Sequence, residues 1–108
     1  MMGNPIVRKA TAFIDEHYAE NISLADLAEG LGMSGGYLST VINRNMGCGY
    51  TDYLNQVRIE HACLYLEQDY LKVYEIAYKV GFRDTKYFSK VFKKLKGMTP
   101  KEYRASNM

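Results

Sequence analysis

Apolar residues recur along this chain at intervals of three and four, and no stretch alternates apolar with polar residues long enough to make a strand. The pattern predicts an all-α fold of seven helices. Asn4-Pro5 offers an N-cap followed by a first-turn proline, and Ile6, Ala10, Phe13, Ile14 and Tyr18 then line one face of a helix ending near Ala19. In NISLADLAEGLG, Ser23 and Asp26 are spaced as a capping box and Ile22 and Leu27 as a hydrophobic staple, while Leu24, Leu27, Ala28 and Leu31 face inward up to Gly32. A helix of about eight residues does not hold alone, so this second helix must pack on neighbours. Ser34 caps a third, with Leu38, Val41 and Ile42 on its buried side and Gly47 beyond its end. Two short helices across a glycine turn are a helix-turn-helix candidate.

From Thr51 to about Glu67 runs a longer helix with more apolar positions than one face needs, including Leu54, Val57, Ile59, Ala62, Cys63 and Leu66. It suits a connector between two small bundles. After it the pattern returns. LKVYEIAYKVGF lies over ISLADLAEGLGM at an offset of 49, pairing Leu27 with Ile76, Ala28 with Ala77 and Gly32 with Gly81. Past the turn the offset is 50, pairing Tyr37-Leu38-Ser39 with Tyr87-Phe88-Ser89, Gly47 with Gly97 and Tyr53 with Tyr103. The chain is an internal duplication with one extra residue in the second turn. Thr99, Pro100 and Glu102 supply N-cap, N1 and N3 of a last helix. Lys72 stands where the first unit has Ser23 and cannot accept an amide hydrogen bond, which predicts a less regular start to the fifth helix and about 1 kcal/mol of lost capping. The expected organisation is one domain over residues 1–108, with helix-turn-helix subdomains at 5–50 and 71–106 and a linker helix at 51–67.

Composition is that of an ordinary folded protein, 47% hydrophobic and 24% charged. No apolar run approaches the roughly 20 residues of a membrane span, and MMGNPIVRKA lacks the apolar centre of a secretion signal, so a soluble, cytoplasmic protein without membrane association is expected. Cys48, Cys63, His17 and His61 show no metal-ligand spacing, and the chain has no acid/base pair or phosphate-cradling loop after a strand. An enzyme is disfavoured, and no metal or cofactor is expected. Charge is more informative: the net value is only +2, but residues 83–104 carry eight Lys and Arg against Asp84 and Glu102. That cluster suits a polyanionic partner.

The segments ISLADLAEGLGMSGGYLS, GYTDYLNQVRIEHACLYL and VYEIAYKVGFRDTKYFSKVFKKLKGMTPKEYR resemble the DNA-binding domain of AraC/XylS-type bacterial transcription regulators over about residues 6 to 104. The motifs that carry the likeness, I-A-x-x-x-G-F, Y-F-S-x-x-F-K, G-x-T-P-x-E-Y-R and Arg58-Ile59, occur in the family's order. The resemblance implies two homeodomain-like three-helical units whose recognition helices enter adjacent major-groove segments, about 34 Å or one helical turn apart, of double-stranded promoter DNA. The lysine-rich ending also resembles the output domains of two-component response regulators. Since the family usually joins this domain to a sensing or receiver module, the likeness implies a piece of a longer regulator, with a stand-alone regulator as the alternative and no small-molecule ligand in this part.

In the second unit, Asp84 is expected to cap the recognition helix, placing Thr85, Lys86, Ser89, Lys90 and Lys93 opposite Phe88, Val91, Phe92 and Leu95. Lys86 and Lys90, with Thr85 and Ser89, are the candidates for base edges, because lysine donates to guanine O6 and N7. Arg83, Lys93 and Lys94 are the candidates for phosphate. The matched positions of the first unit are Gly35, Gly36, Ser39, Thr40 and Asn43. Gly36, Ser39, Thr40 and Asn43 are its base-reading candidates and Arg44 its phosphate candidate. Where family members commonly carry a long or basic side chain, this chain has Gly36 and Thr40. Either the glycines bring backbone amides close to phosphate or this unit reads bases weakly. Tyr37, Tyr53, Tyr87 and Tyr103 suit packing with the hydroxyl at the surface. Tyr70, Tyr74 and Tyr78 form one side of the fifth helix and its approach, where the family's function would allow contact with RNA polymerase. The competing function is a helical protein-interaction module of the same fold that has lost DNA reading, motivated by the bare third helix and by residues 1–50, where three Lys and Arg stand against five Asp and Glu.

Overall fold

The computed structural model describes residues 4–68 and 70–107, and among these it contains seven helices and no strand. They are α1 (Pro5–His17), α2 (Leu24–Gly30), α3 (Gly35–Met46), α4 (Tyr50–Leu66), α5 (Val73–Lys79), α6 (Thr85–Lys96) and α7 (Pro100–Ser106). Their order is the expected one, and their ends differ from the periodicity by a residue or two. The chain divides into two compact units, Met1–Leu54 and Asn55–Met108, with the boundary inside α4.

In the first unit Asn4 accepts from the amides of Ile6 (2.8 Å) and Val7 (3.3 Å) to start α1. The capping box of α2 is complete: the Ser23 hydroxyl accepts from Asp26 N and the Asp26 carboxylate from Ser23 N, both at 3.0 Å. The bond from the Ser23 amide, and after it the Ser23 hydroxyl, hold the Asp26 carboxyl below its usual pKa. α1 and α2 both pack on α3, burying Val7, Ala10, Ile14, Leu27, Ala28, Leu38, Val41 and Ile42. Burial of these side chains is what stabilises a seven-residue α2 that would not persist by itself.

In the second unit α6 packs on α5 and α7 around Ile76, Ala77, Val80, Phe82, Phe88, Val91 and Phe92. Aromatic contacts run from Phe82 to Phe88 (5.2 Å between centroids), on to Phe92 (5.8 Å) and then edge-on to Tyr103 (5.6 Å). The Arg58 guanidinium stacks over the Phe82 ring at 5.5 Å. Asn55, one of the few buried polar residues, donates to the Tyr87 hydroxyl at 3.2 Å.

The duplication is visible in the backbone. Both turns close with an amide reaching five residues back, Met33 N to Ala28 O and Phe82 N to Ala77 O. Gly47 and Gly97 end α3 and α6 in the same left-handed conformation, φ 73° and 77°, which strains any residue with a Cβ. α5 departs from expectation. Lys72 makes no side-chain cap, yet its backbone (φ −73°, ψ 153°) is as extended as that of Ser23 (φ −91°, ψ 163°), so the start is regular. The Glu75 carboxylate accepts from Lys72 N at 2.8 Å, and this half of the box is enough to set the geometry. Three side chains expected to pack are largely exposed: Leu95 at 40%, Tyr37 at 55% and Tyr87 at 46%.

Candidate nucleic-acid interface

Each unit exposes the outward face of the second helix of its helix-turn-helix, α3 in the first and α6 in the second. In α6, Asp84 accepts from Lys86 N at 2.9 Å, which fixes the first turn, and the helical period then sets Lys86, Lys90 and Lys93 opposite the buried Phe88, Val91 and Phe92. Lys86, Lys90, Lys93 and Lys94 are exposed, and Thr85 and Ser89 are half-buried between them. Arg83, the extra residue of the second turn, is also exposed and precedes the helix. Among the described residues none of these five cations is in an ion pair, although Lys93 lies near enough to Glu102 to favour its ionised form.

Two members of the basic cluster have structural partners instead. Lys96 is hydrogen-bonded and ion-paired to Glu60 of α4, which raises the lysine's pKa. Arg104 donates through Nε to the Leu66 carbonyl at 3.0 Å. Nearby, the Tyr103 hydroxyl donates to the Glu67 carboxylate at 2.9 Å, and that bond, with burial, pushes the phenol up. Burial likewise raises the Cys63 thiol, which favours its protonated form. The count of basic residues in the sequence therefore overstated the open positive face.

α3 carries the same pattern with different chemistry. Ser34 accepts from Tyr37 N at 3.2 Å to start it. Gly36, Thr40, Asn43 and Arg44 are exposed and Ser39 is half-buried, so the five occupy the same burial positions as Lys86, Lys90, Lys93, Lys94 and Ser89. Only Arg44 matches a cation with a cation. A Cβ built on Gly35 or Gly36 meets nothing within 4 Å, and neither glycine has a positive φ. Neither packing nor backbone geometry requires glycine there. The Thr40 hydroxyl donates to Gly36 O at 3.1 Å, and the Asn43 amide nitrogen donates to Ser39 O at 2.8 Å and lies 3.5 Å from Ser39 Oγ. The helical period of the sequence predicts only that these polar groups lie on the outer face, not that they turn back onto their own helix. A Thr or Asn four residues after an exposed carbonyl is the signal that could have suggested it.

The sequence-predicted site residues thus form two exposed helix faces, one in each unit. No group of three or more His, Cys, Asp or Glu among the described residues could hold a metal ion, and no helix among them is long and apolar enough to cross a membrane. Tyr70, Tyr74 and Tyr78 are exposed (72%, 50% and 55%), with the last two rings edge-on at 6.4 Å.

A helix-turn-helix domain family profile matches residues 27–106. Among solved structures, the C-terminal domain of AraT, a response regulator from Geobacillus stearothermophilus, is similar at 36% identity and a TM-score of 0.93, covering all of this chain and 90% of that one. The DNA-binding domain of AdpA, described as a global transcriptional factor and solved in complex with a target DNA, is similar at 26% identity and a TM-score of 0.86, covering 96% of this chain and 93% of that one. The uncharacterized HTH-type transcriptional regulator YijO of Escherichia coli K12 is 38% identical over 92 residues, which is 85% of this chain. The chain spans about a third or less of the length of the curated relatives it matches.

Proposed function

The chain belongs to the AraC-type helix-turn-helix transcription regulators, and from that premise we propose that it binds promoter DNA sequence-specifically, as the output domain of a response regulator. The observation that carries the reading is the face of α6, where Lys86, Lys90, Lys93 and Lys94 project unpaired by any described acid from the second helix of a helix-turn-helix. Lysine ammonium groups there are placed to meet both base edges and phosphates. Lys86 and Lys90, with Thr85 and Ser89, are assigned to bases, and Arg83, Lys93 and Lys94 to phosphates. In α3, Gly36, Ser39, Thr40 and Asn43 are assigned to bases and Arg44 to phosphate. The unit at 5–50, the linker at 51–67 and the unit at 71–106 then act as one bipartite reader. The response-regulator assignment is supported by the likeness to AraT, and the full-length protein would add a receiver or sensing module. Contact with RNA polymerase at the promoter fits the exposed tyrosines before and on α5.

Selection of duplexes from a randomised library by the purified chain tests this reading. Enrichment of a bipartite sequence is expected. Absence of any enriched or retained duplex at low salt would sink it and favour a protein-interaction role.

A further inference from the structure

We propose that the two helices read complementary halves of the base-edge code: α6 offers hydrogen-bond donors and selects guanine, while α3 offers a methyl and acceptor oxygens and selects thymine and amino-bearing base edges. This rests on the DNA-binding reading above and says what each unit's half-site must contain.

The starting point is what each outward position has left to give. Thr40 donates its only hydroxyl hydrogen to Gly36 O at 3.1 Å. The Asn43 amide nitrogen is held against Ser39, 2.8 Å from its carbonyl and 3.5 Å from its hydroxyl. Turning either group toward a base as a donor would break a bond already made, so the exchange gains little. Contact through the Thr40 methyl, or acceptance by Asn43 Oδ1, breaks nothing. Gly35 and Gly36 add no side chain, and the space around them is open. The remaining hydroxyl, Ser39, is half-buried.

The matched positions on α6 are the reverse. Lys86, Lys90 and Lys93 stand where Gly36, Thr40 and Asn43 stand, and an ammonium group has three donors and no acceptor. Guanine shows two acceptors, N7 and O6, in the major groove, while thymine is the base that shows a methyl there. The three lysines, the longest side chains of the α6 face, are donor-only and therefore favour guanine, with the half-buried Thr85 and Ser89 set back between them. A face of methyl and acceptor groups favours thymine, with adenine or cytosine amino groups opposite Asn43.

The test uses the duplexes selected by the wild-type chain, altered one atom or group at a time. Replacing each enriched thymine by uracil removes only the methyl. At the thymine read by α3 this should weaken binding about four-fold, the worth of one buried methyl. The loss should vanish in Thr40→Ser, which lacks the methyl, and persist in Thr40→Val, which keeps one, and in Lys86→Met. Replacing each enriched guanine by 7-deazaguanine removes N7, and at the guanine read by α6 the loss should be about five-fold or more. That loss should vanish in Lys86→Met or Lys90→Met and persist in Thr40→Ser.

Duplexes that bind but are indifferent to both base changes overturn the inference and leave DNA binding standing. Uracil sensitivity that survives Thr40→Ser and disappears in Thr40→Val shows a hydroxyl contact and also overturns it. A chain that selects no duplex overturns the DNA-binding reading, and the inference with it.

Discussion

The Lys96 ammonium is hydrogen-bonded to the Glu60 carboxylate, so the last lysine of α6 is tied to α4 while Lys90 and Lys94 on the same helix are in no described ion pair. Neighbouring lysines of one helix thus have different tasks. Each phosphate neutralised contributes about −0.9 to the slope of log affinity against log salt on duplex DNA. Lys94→Ala should make the slope shallower by about one such unit. Lys96→Ala should leave the slope in place and lower stability by less than about 1 kcal/mol, since the pair lies near the surface. Anisotropy titrations over a salt series and a denaturant melt check the two effects separately.

Removing Lys86 or Lys90 should weaken specific binding by about 1 to 3 kcal/mol each, the range for a side chain on a base edge. Thr40→Ala should weaken it by less, because a methyl contact is worth about 0.8 kcal/mol. Equal losses from the two helices, measured on one selected duplex, would contradict the unequal division of labour.

Much of this molecule was legible in its sequence. Ser23, Ser34 and Thr99 announce helix starts through a side-chain oxygen, and Gly47 and Gly97 announce helix ends through a left-handed backbone, so local chemistry alone locates those boundaries. The duplication and the helical period also place Lys86 and Lys90 on an outward face. What sequence could not supply was the pairing of long side chains. Lys96 and Arg104 look like Lys90 and Lys94 in a charge count, and only residues 36 and 38 positions away, Glu60 and Leu66, distinguish them. The direction of the Thr40 and Asn43 side chains was equally hidden, because the same residues could face a base or their own helix.

The glycines at the tip of α3 lead to a further expectation. Since neither packing nor φ requires Gly36, Gly36→Ala should stabilise the fold by about 0.5 kcal/mol through reduced backbone entropy in the unfolded chain. A chemical denaturation midpoint measures this. If the same variant binds DNA much more weakly despite its greater stability, the glycine serves close approach of the helix backbone. If it binds as before, α3 is simply a sparse reader.

At α5 the duplication suggests a repair. Ser23 accepts from Asp26 N at 3.0 Å, and Lys72, at the matched place, has nothing to accept with. Lys72→Ser keeps the backbone donation to Glu75 and adds the missing half of the box. It should stabilise the protein by about 0.5 to 1 kcal/mol, after allowance for the lost contact of Lys72 with the Tyr74 ring. A lower denaturation midpoint would mean that the aromatic contact outweighs the cap.

The most direct test of the account as a whole is the affinity of the chain for a selected duplex and for a scrambled duplex of equal length, measured by anisotropy across a salt series. Tighter binding to the selected duplex is expected at every salt concentration, with log affinity for both falling linearly as log salt rises. Equal affinity for the two duplexes, or no binding to either at low salt, would contradict it.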